Sequence, residues 1–235
     1  MDRNSERFLT AFNRIEKKLR TIIKNGRNIS FSKMVRMLKN ADAIVGRYSD
    51  DLLEFAELRN AIVHNKIDIS HAIAEPHDSV VRQIELIEKE LLEPRKVSPQ
   101  FIKKVISFQQ NEPLTHLLAL LHEKHITKFP IYHKEEFRGL ISQRAISFWL
   151  AGSMYQEDKL LSNTEIVDVL KYATLDNYQF ITADTSVFEA IEILRKQSVQ
   201  GKRLEALLIT KNGKAHEKLI GIVTNLDIIR MQPMI

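Results

Sequence analysis

Arg59, Asn60 and His64 place three side chains close together in the sequence that can act on a phosphodiester. Histidine titrates near neutral pH and can move a proton onto or off an RNA 2′-hydroxyl or a leaving oxygen. Arginine is permanently charged and donates to a phosphate whose charge grows in the transition state, and a neutral amide can orient either group. This set requires no metal. The alternative is that Arg59 is only solvated and that His64 meets the dipole at a helix end.

The spacing of the three residues indicates how they can cooperate. Each residue of an α-helix turns by about 100°, so Asn60 and His64, four apart, project from one face. Arg59 and His64 are five apart and roughly 140° out of phase. One straight helix would not aim both at one atom, whereas two copies facing each other across a two-fold axis could combine them. The spacing therefore indicates a homodimer.

Arg59-Asn60 followed by His64 resembles the Arg-polar-x-x-x-His signature of HEPN domains, and the helix pattern of residues 1–93 resembles the same family. HEPN domains are small helical bundles that include many metal-independent endoribonucleases, with the active cleft between two protomers. The resemblance implies that Arg59 stabilises the phosphate, His64 transfers protons and Asn60 orients them. Cleavage would proceed by 2′-hydroxyl attack and leave a cyclic phosphate. Other HEPN domains are inactive scaffolds or dimerisers, which keeps a non-enzymatic role open.

Apolar residues at helical spacing predict four helices in residues 1–94, joined as an all-α bundle. The predicted helices are residues 5–24, Ser30 to Val45, Ser49 to Asn65, and a segment after Pro76 that ends at about Leu92. Residues 1–47 contain twelve Lys and Arg against four Asp and Glu, whereas residues 48–94 contain four against eleven. The basic half could follow a nucleic-acid backbone. Equally, basic and acidic helices could face each other within the bundle.

The totals limit the class of protein. The chain has 235 residues, of which 44% are hydrophobic and 28% charged, a globular composition with room for one or two domains. It has no cysteine, which excludes disulfides and thiol-based sites. No apolar run approaches the roughly 18 residues of a membrane span, and the N-terminus lacks an apolar signal core. These features predict a cytoplasmic protein. His116, His122 and His125 fit surface positions better than a metal site, so no metal is predicted.

From about Lys96 the sequence changes to short apolar strands between helices, and an internal repeat is visible. Two strands separated by a turn occur in each copy, at residues 128–132 and 139–142 and again at residues 206–210 and 221–224. A helix precedes each pair, at residues 114–125 and 187–198, and another follows near Gln143 and near Asn225. The predicted fold class is therefore α + α/β, with two pseudo-symmetric α/β repeats after the bundle. Trp149 and Phe148 are predicted to fill the core of the first repeat.

The second copy ends in Gly221-Ile222-Val223-Thr224-Asn225-Leu226-Asp227. A strand that ends at Thr224, followed at once by a helix, places the hydroxyl and the Asp227 carboxylate on the first helical turn. The carboxylate can accept from both ribose hydroxyls, and the helix N-terminus favours phosphate oxygens. The alternative is capping, in which the two side chains only stabilise the helix.

This segment resembles the glycine-hydrophobic-x-Ser/Thr-x-x-Asp motif of nucleotide-binding CBS domains, and residues 96–235 resemble a tandem CBS pair, or Bateman module. The resemblance implies domains at residues 1–94 and 95–235, the latter divided into repeats 95–152 and 162–235. It implies a regulatory adenosine nucleotide, AMP, ADP or ATP, held at Thr224 and Asp227. The adenine would lie near Phe180, Ile181, Thr182, Leu207 and Leu208.

The first copy departs from this motif. Gly139-Leu140-Ile141-Ser142-Gln143-Arg144-Ala145 keeps the hydroxyl, at Ser142, but has alanine in place of the acidic residue. We therefore expect a degenerate second site, where Arg144 reaches a phosphate or is simply solvated.

Two hypotheses follow for the whole chain. In the first, it is a homodimeric endoribonuclease that needs no cofactor for catalysis and is regulated by an adenosine nucleotide. In the second, it is a nucleotide sensor whose helical domain dimerises or docks a partner.

Overall fold

The structure, a computed structural model, describes residues 3–24, 28–64, 75–154, 163–199, 201 and 203–227, apart from the side chains of His64 and Ser198. The chain divides into two compact units. The first comprises residues 1–95 and 186–189, and the second comprises residues 96–185 and 190–235. Within the described ranges, no helix combines the length and apolar character that a bilayer span needs.

The first unit is helical over most of its described residues. Its helices are α1 (Asn4–Ile23), α2 (Phe31–Leu38), α3 (Ala43–Arg47), α4 (Ser49–His64) and α5 (Asp78–Leu92). Their apolar faces meet in one core, where Phe8 of α1 packs edge-on against Phe55 of α4 with ring centroids 5.7 Å apart. Burial of such faces supplies most of the stability of short helices. The predicted helical N-terminal region is confirmed.

The second helix ends earlier than its apolar pattern predicts. The prediction ran from Ser30 to Val45, whereas α2 stops at Leu38 and α3 starts at Ala43. The Asp42 carboxylate accepts hydrogen bonds from the backbone N–H groups of Ile44 at 2.9 Å and Val45 at 3.0 Å. An aspartate that caps a new helix satisfies N–H groups that a continuous helix would have bonded itself. The prediction of one helix was therefore wrong at this point.

The second unit contains two three-stranded sheets, each with the same plan. The first has the order β1-β2-β3 and the second the order β4-β5-β6, and in each the first strand pairs in parallel and the last pair is antiparallel. The strands are β1 (Phe108–Gln109), β2 (Lys128–His133), β3 (Glu136–Ser142), β4 (Tyr178–Thr182), β5 (Ala206–Thr210) and β6 (Gly221–Thr224). The helices are α6 (Leu114–Lys124), α7 (Gln143–Ser153), α8 (Ile166–Leu170) and α9 (Val187–Val199).

The register relates the two sheets. Lys128 at the start of β2 pairs with Ser142 at the end of β3, and Ala206 at the start of β5 pairs with Thr224 at the end of β6. The two hydroxyl residues therefore occupy equivalent positions, each directly before helical backbone. The first hairpin differs by a bulge, because its pairing passes from Ile131 with Gly139 to Tyr132 with Phe137 and skips one residue of β3.

Alternation of side chains along these strands builds the cores of the second unit. Leu140, Ala206 and Leu208 lie in one cluster that joins residues of both repeats. Trp149 of α7 is 4% exposed in another cluster, as predicted, whereas Phe148 is 51% exposed. The prediction that Phe148 fills the core was wrong: Phe148 lies about 100° from Trp149 around the helix, on the side that faces solvent.

Candidate functional site

Arg59 and Asn60 lie together near the C-terminal end of α4. The Arg59 guanidinium donates from Nη1 to Asn60 Oδ1 at 3.3 Å, and Asn60 is exposed. Among the described residues, no carboxylate forms an ion pair with Arg59. His64 is the last residue of α4, and its side chain lies outside the described residues. Two of the three predicted groups are thus in contact, with Asn60 exposed and Arg59 half-buried.

The basic and acidic helices of the first unit face each other in part. The Arg7 guanidinium of α1 makes two hydrogen bonds to the Glu85 carboxylate of α5, at 3.0 and 2.8 Å. Arg14 and Glu88 form a further ion pair between the same helices, at 3.0 Å. For these residues, pairing inside the bundle explains the charge asymmetry of the sequence. Pairing inside the bundle does not explain the charge on Lys33 of α2, since this side chain is exposed whereas its neighbours Met34 and Val35 are buried.

The predicted ribose site of the second repeat is closed by its own hydrogen bonds. Asp227 Oδ2 accepts from the backbone N–H of Thr224 at 2.8 Å and from the Thr224 hydroxyl at 2.7 Å. The first of these bonds is one half of a capping box, in which a side chain in the first turn satisfies the N–H of the residue that starts the helix. The geometry therefore contains the capping arrangement, which uses one carboxylate oxygen, Oδ2.

The predicted adenine segment contributes one aromatic side chain, Phe180, to a group of half-buried rings. Phe180 on β4 packs edge-on against Phe137 at 5.2 Å and Tyr178 at 5.7 Å, and Phe137 contacts Tyr132 at 5.5 Å. All four rings are half-buried. Burial raises the pKa of the Tyr132 and Tyr178 hydroxyls above the ordinary value. These rings stay neutral at physiological pH and form an apolar wall.

The other predicted adenine residues have little free side-chain surface. Leu207 and Leu208 lie on the central strand of their sheet and are fully buried, and Ile181 is buried as well. Thr182 is half-buried, and its backbone N–H donates to the Thr185 hydroxyl at 3.2 Å. Among these four residues, Thr182 is the one whose side chain is accessible for a contact with a ligand.

A cavity of about 620 Å³ opens beside the motif of the first repeat. Its lining combines cationic, anionic, polar and aromatic side chains: Lys128, Gln143, Arg144, Ser147, Phe148, Ala151, Arg203 and Glu205. The Arg144 guanidinium lies over the Phe148 ring, 4.9 Å from its centroid, which fixes this charge at the wall of the cavity. Ser142, which precedes α7, makes no capping hydrogen bond with its side chain. The Gln143 N–H donates to the Thr127 carbonyl at 3.1 Å, and the rest of the first turn is left open to an anion.

A second, much smaller cavity of about 30 Å³ adjoins the first and shares Arg144, Phe148 and Glu205 with it. Ser142 and Asn177 also line this inner cavity. Asn177 is 1% exposed, and its side-chain Nδ2 donates to the backbone carbonyl of Leu140 at 3.0 Å. Its Oδ1 is buried and has no hydrogen-bond partner among the described residues. Buried polar atoms are nearly always paired, so this oxygen marks a place for a donor.

Sequence reasoning identified Ser142 and Arg144 but missed the remaining polar residues of these cavities. Lys128 begins β2, Arg203 and Glu205 precede β5, and Asn177 precedes β4. They come together because these strand ends lie at one edge of the sheets. The only signal in the sequence was a charged residue at or directly before the start of each of two buried strands, which is common and not specific.

The described residues contain no group of three or more His, Cys, Asp and Glu side chains that could hold a metal ion. The arrangement around Arg144 instead suits an organic anion, because three cationic side chains and an open helix N-terminus surround a single carboxylate.

Comparison with known protein families identifies the domain to which these repeats belong. The sequence profile described as the CBS domain matches residues 98–152 and 168–233, slightly more than half of the chain. No curated protein sequence matches the chain significantly.

Several solved structures resemble the second unit. A putative acetoin utilization protein (AcuB) from Vibrio cholerae is 18% identical, with 58% of this chain and 88% of that chain covered and a TM-score of 0.44. The conserved CBS domain protein TA0289 from Thermoplasma acidophilum is 16% identical, with 60% and 71% covered and a TM-score of 0.45. The CBS domain pair of protein MJ0100, in complex with 5′-methylthioadenosine and S-adenosyl-L-methionine, is 19% identical, with 59% and 99% covered and a TM-score of 0.43.

Proposed function

The chain belongs to the CBS-domain family, and on this premise we propose that its second unit binds an adenosine nucleotide and thereby regulates its helical unit. The observation that carries this proposal is the 620 Å³ cavity beside Ser142 and Arg144, with its cationic lining. Permanently charged Arg144 and Arg203 suit phosphate oxygens, and the open first turn of α7 adds backbone donors.

We assign a second contact region to the motif of the second repeat. There the Asp227 carboxylate accepts from ribose hydroxyls through Oδ1, while Oδ2 keeps its bonds to Thr224. Phe180 supplies an apolar contact for the adenine, Thr182 a hydroxyl, and Ile181, Leu207 and Leu208 the rigid strands behind them. This assignment follows the resemblance of residues 221–227 to nucleotide-binding CBS motifs.

Titration calorimetry on the purified full-length protein tests nucleotide binding. We expect AMP, ADP, ATP or S-adenosylmethionine to bind with a dissociation constant in the micromolar range, about −8 kcal/mol. GMP serves as the control for recognition of the adenine. Absence of measurable heat and of a thermal shift with every adenosine compound would contradict the proposal.

The helical unit is proposed to be the regulated element, and its function a metal-independent endoribonuclease. The specific observation is that Arg59 contacts Asn60 on the solvent-exposed side of α4 and has no carboxylate partner among the described residues. Two copies of the chain would pair α4 with α4, so that Arg59 of one copy and His64 of the other act on the same phosphate. The alternative is a nucleotide sensor whose helical unit only dimerises or docks a partner.

In the proposed reaction the RNA 2′-oxygen attacks the adjacent phosphorus and the bond from phosphorus to the 5′-oxygen breaks. The proton lost by the 2′-hydroxyl is replaced by one delivered to the 5′-oxygen, which leaves a 2′,3′-cyclic phosphate and a 5′-hydroxyl. His64 takes part in this proton transfer, and Arg59 stabilises the charge on the phosphate oxygens. A nucleotide changes the rate only if it binds one arrangement of the helical units more tightly than another.

An RNase assay in the presence of EDTA separates the two functions. Single-stranded RNA should be cut by the wild type, with cleavage reduced at least about 10²-fold in His64→Ala and in Arg59→Ala. Lys124→Ala, which removes an exposed charge from α6 of the second unit, is the matched control and should retain activity. Cleavage that persists in His64→Ala would exclude the mechanism. Nucleotide binding without any RNA cleavage would support the alternative function, a nucleotide sensor.

A further inference from the structure

The site of the first repeat contains a carboxylate that its own motif lacks. Ala145, which is buried, occupies the position equivalent to Asp227. Glu205 nevertheless lines both the 620 Å³ cavity and the 30 Å³ cavity. It belongs to the second repeat, directly before β5, so the chain supplies an acidic group to this site from the other half of the pair.

Glu205 is held by Lys128 in an ion pair whose side chains are 15% and 20% exposed. A mostly buried ion pair loses hydration on both partners, and its attraction only roughly compensates for that loss. Both groups also line the cavity, so each can exchange its partner for a group of the ligand. A ligand that brings both a phosphate and hydroxyl donors gives Lys128 an anion and gives Glu205 neutral hydrogen-bond donors, so neither side chain is left without a partner.

The inner cavity adds a further requirement on the ligand. The hydrogen bond from Asn177 Nδ2 to the Leu140 carbonyl fixes the orientation of the amide, so that the buried unpaired atom is Oδ1, an acceptor. A cavity of about 30 Å³ holds one small group, such as a water molecule, a hydroxyl or an amine. The unsatisfied acceptor therefore selects a ligand that presents one hydrogen-bond donor at its inner end.

We propose that Glu205 replaces the missing acidic residue of the first repeat and accepts hydrogen bonds from the ribose hydroxyls of a nucleoside 5′-phosphate, while Asn177 Oδ1 accepts from one further donor of the same ligand. Lys128, Arg144 and Arg203 bind the phosphate. The site that the motif marks as degenerate is then a complete one, built from both repeats. This inference rests on the proposed function, since it names the residues by which the second unit recognises its nucleotide.

The test uses the full-length Asp227→Asn protein as the parent, so that binding at the first repeat is measured alone. We expect this parent to bind AMP in calorimetry, and Glu205→Gln in the same background to weaken binding of both AMP and adenosine by about tenfold or more. Arg203→Ala should weaken AMP by about tenfold and adenosine by less than about twofold, because adenosine has no phosphate. Glu123→Gln, which removes an exposed carboxylate from α6 of the second unit, is the matched control.

A rescue variant separates recognition from a structural role of Glu205. Adding Ala145→Asp to the Glu205→Gln protein returns an acidic group to the motif and should bring the AMP affinity back to within about threefold of the parent. Circular dichroism and the unfolding midpoint identify variants that remain folded.

The outcomes distinguish this inference from the proposed function. Loss of all adenosine binding in Asp227→Asn, or an unchanged affinity in Glu205→Gln, would overturn the inference while nucleotide binding by the wild type stands. A wild type that binds no adenosine compound would remove the proposed function, and the inference with it.

Discussion

The two repeats of the second unit have the same order of strands but leave different groups available to a ligand. In the second repeat, which keeps the Thr-x-x-Asp motif, the Asp227 carboxylate already accepts two hydrogen bonds from Thr224. In the first repeat, which has alanine at the acidic position, the Ser142 side chain makes no capping bond and a 620 Å³ cavity lies beside it. A motif thus specifies residue types, whereas availability for binding depends on which polar atoms remain unpaired.

The comparison also shows that the same few residues can serve two physical purposes. A threonine and an aspartate three residues apart stabilise a helix start whether or not a ligand is present. Removing the aspartate from a repeat sacrifices that stabilisation and opens the helix N-terminus. We therefore expect an anion to bind at the helix start of the first repeat, and we expect the motif of the second repeat to stabilise the fold.

The largest expected difference between the repeats concerns their equivalent glycines. A Cβ on Gly221 would lie 2.3 Å from the backbone oxygen of Phe101, which cannot move without shifting the chain. A Cβ on Gly139 would meet the flexible end of the Leu170 side chain at 3.0 Å, at a φ of +154°. We expect Gly221→Ala to cost about 3 kcal/mol and to lower the unfolding midpoint by roughly 6–12 °C. Gly139→Ala should cost about 2 kcal/mol, mostly from backbone strain at this φ and less from the contact with Leu170, and an equal or larger loss than in Gly221→Ala would contradict the comparison.

A smaller difference is expected at the starts of the two equivalent helices. Asp227→Ala removes the partner of the Thr224 N–H and hydroxyl and should lower the free energy of unfolding by about 1 kcal/mol. Ser142→Ala removes a side chain without a capping bond and should change it by less than about 0.5 kcal/mol. Urea denaturation of the ligand-free protein measures both values. Similar losses of unfolding free energy in the two variants would show that the two helix starts are equally stabilised by their caps.

The smallest difference is a pH dependence confined to the second hairpin. Glu217 accepts hydrogen bonds from the Asn212 side chain and backbone N–H, both at 2.6 Å, and these bonds lower its pKa from 4.5 to about 2. Because the folded pKa is the lower one, this stabilisation is present above about pH 4.5 and is lost as the pH falls towards 2. An NMR titration of the Glu217 carboxylate should find the depressed midpoint, and Asn212→Ala should return it towards the ordinary value. A titration midpoint that stays the same in Asn212→Ala would exclude Asn212 as the cause of the lowered pKa.

The regular parts of the fold were predictable because their side chains repeat with the period of the element. The prediction of a helical N-terminal region and a CBS pair is confirmed, and residues 206–210 and 221–224 coincide with β5 and β6. Elements too short to show a period were missed, namely the two residues of β1 and the five-residue helices α3 and α8. The break at Asp42 was missed because a capping aspartate is compatible with the exposed face of a continuous helix.

The candidate site could be predicted from the sequence less completely than the fold. Ser142 and Arg144 are adjacent to a motif and were identified, but Glu205 and Asn177 reach the same cavity from other strands. Their proximity depends on how two sheets pack, which no local pattern encodes. Likewise, the contact between Arg59 and Asn60 follows from adjacent positions, whereas the spacing of Arg59 and His64 predicts a second copy without identifying the residues through which the two copies meet.

The bulge in the first hairpin has a consequence for changes of chain length. The pairing of β2 with β3 skips Arg138, and this offset puts Tyr132 opposite Phe137, within the group of half-buried rings. Deleting Arg138 would leave Phe137 next to Gly139 and still opposite Tyr132, so the pairing would become regular and the side chains would keep their faces. The extra residue instead bends the strand and increases its local twist, which sets the angle at which Phe137 meets the other rings. A deletion at this bulge therefore straightens the hairpin, whereas a deletion within residues 211–220 shortens the connection between β5 and β6.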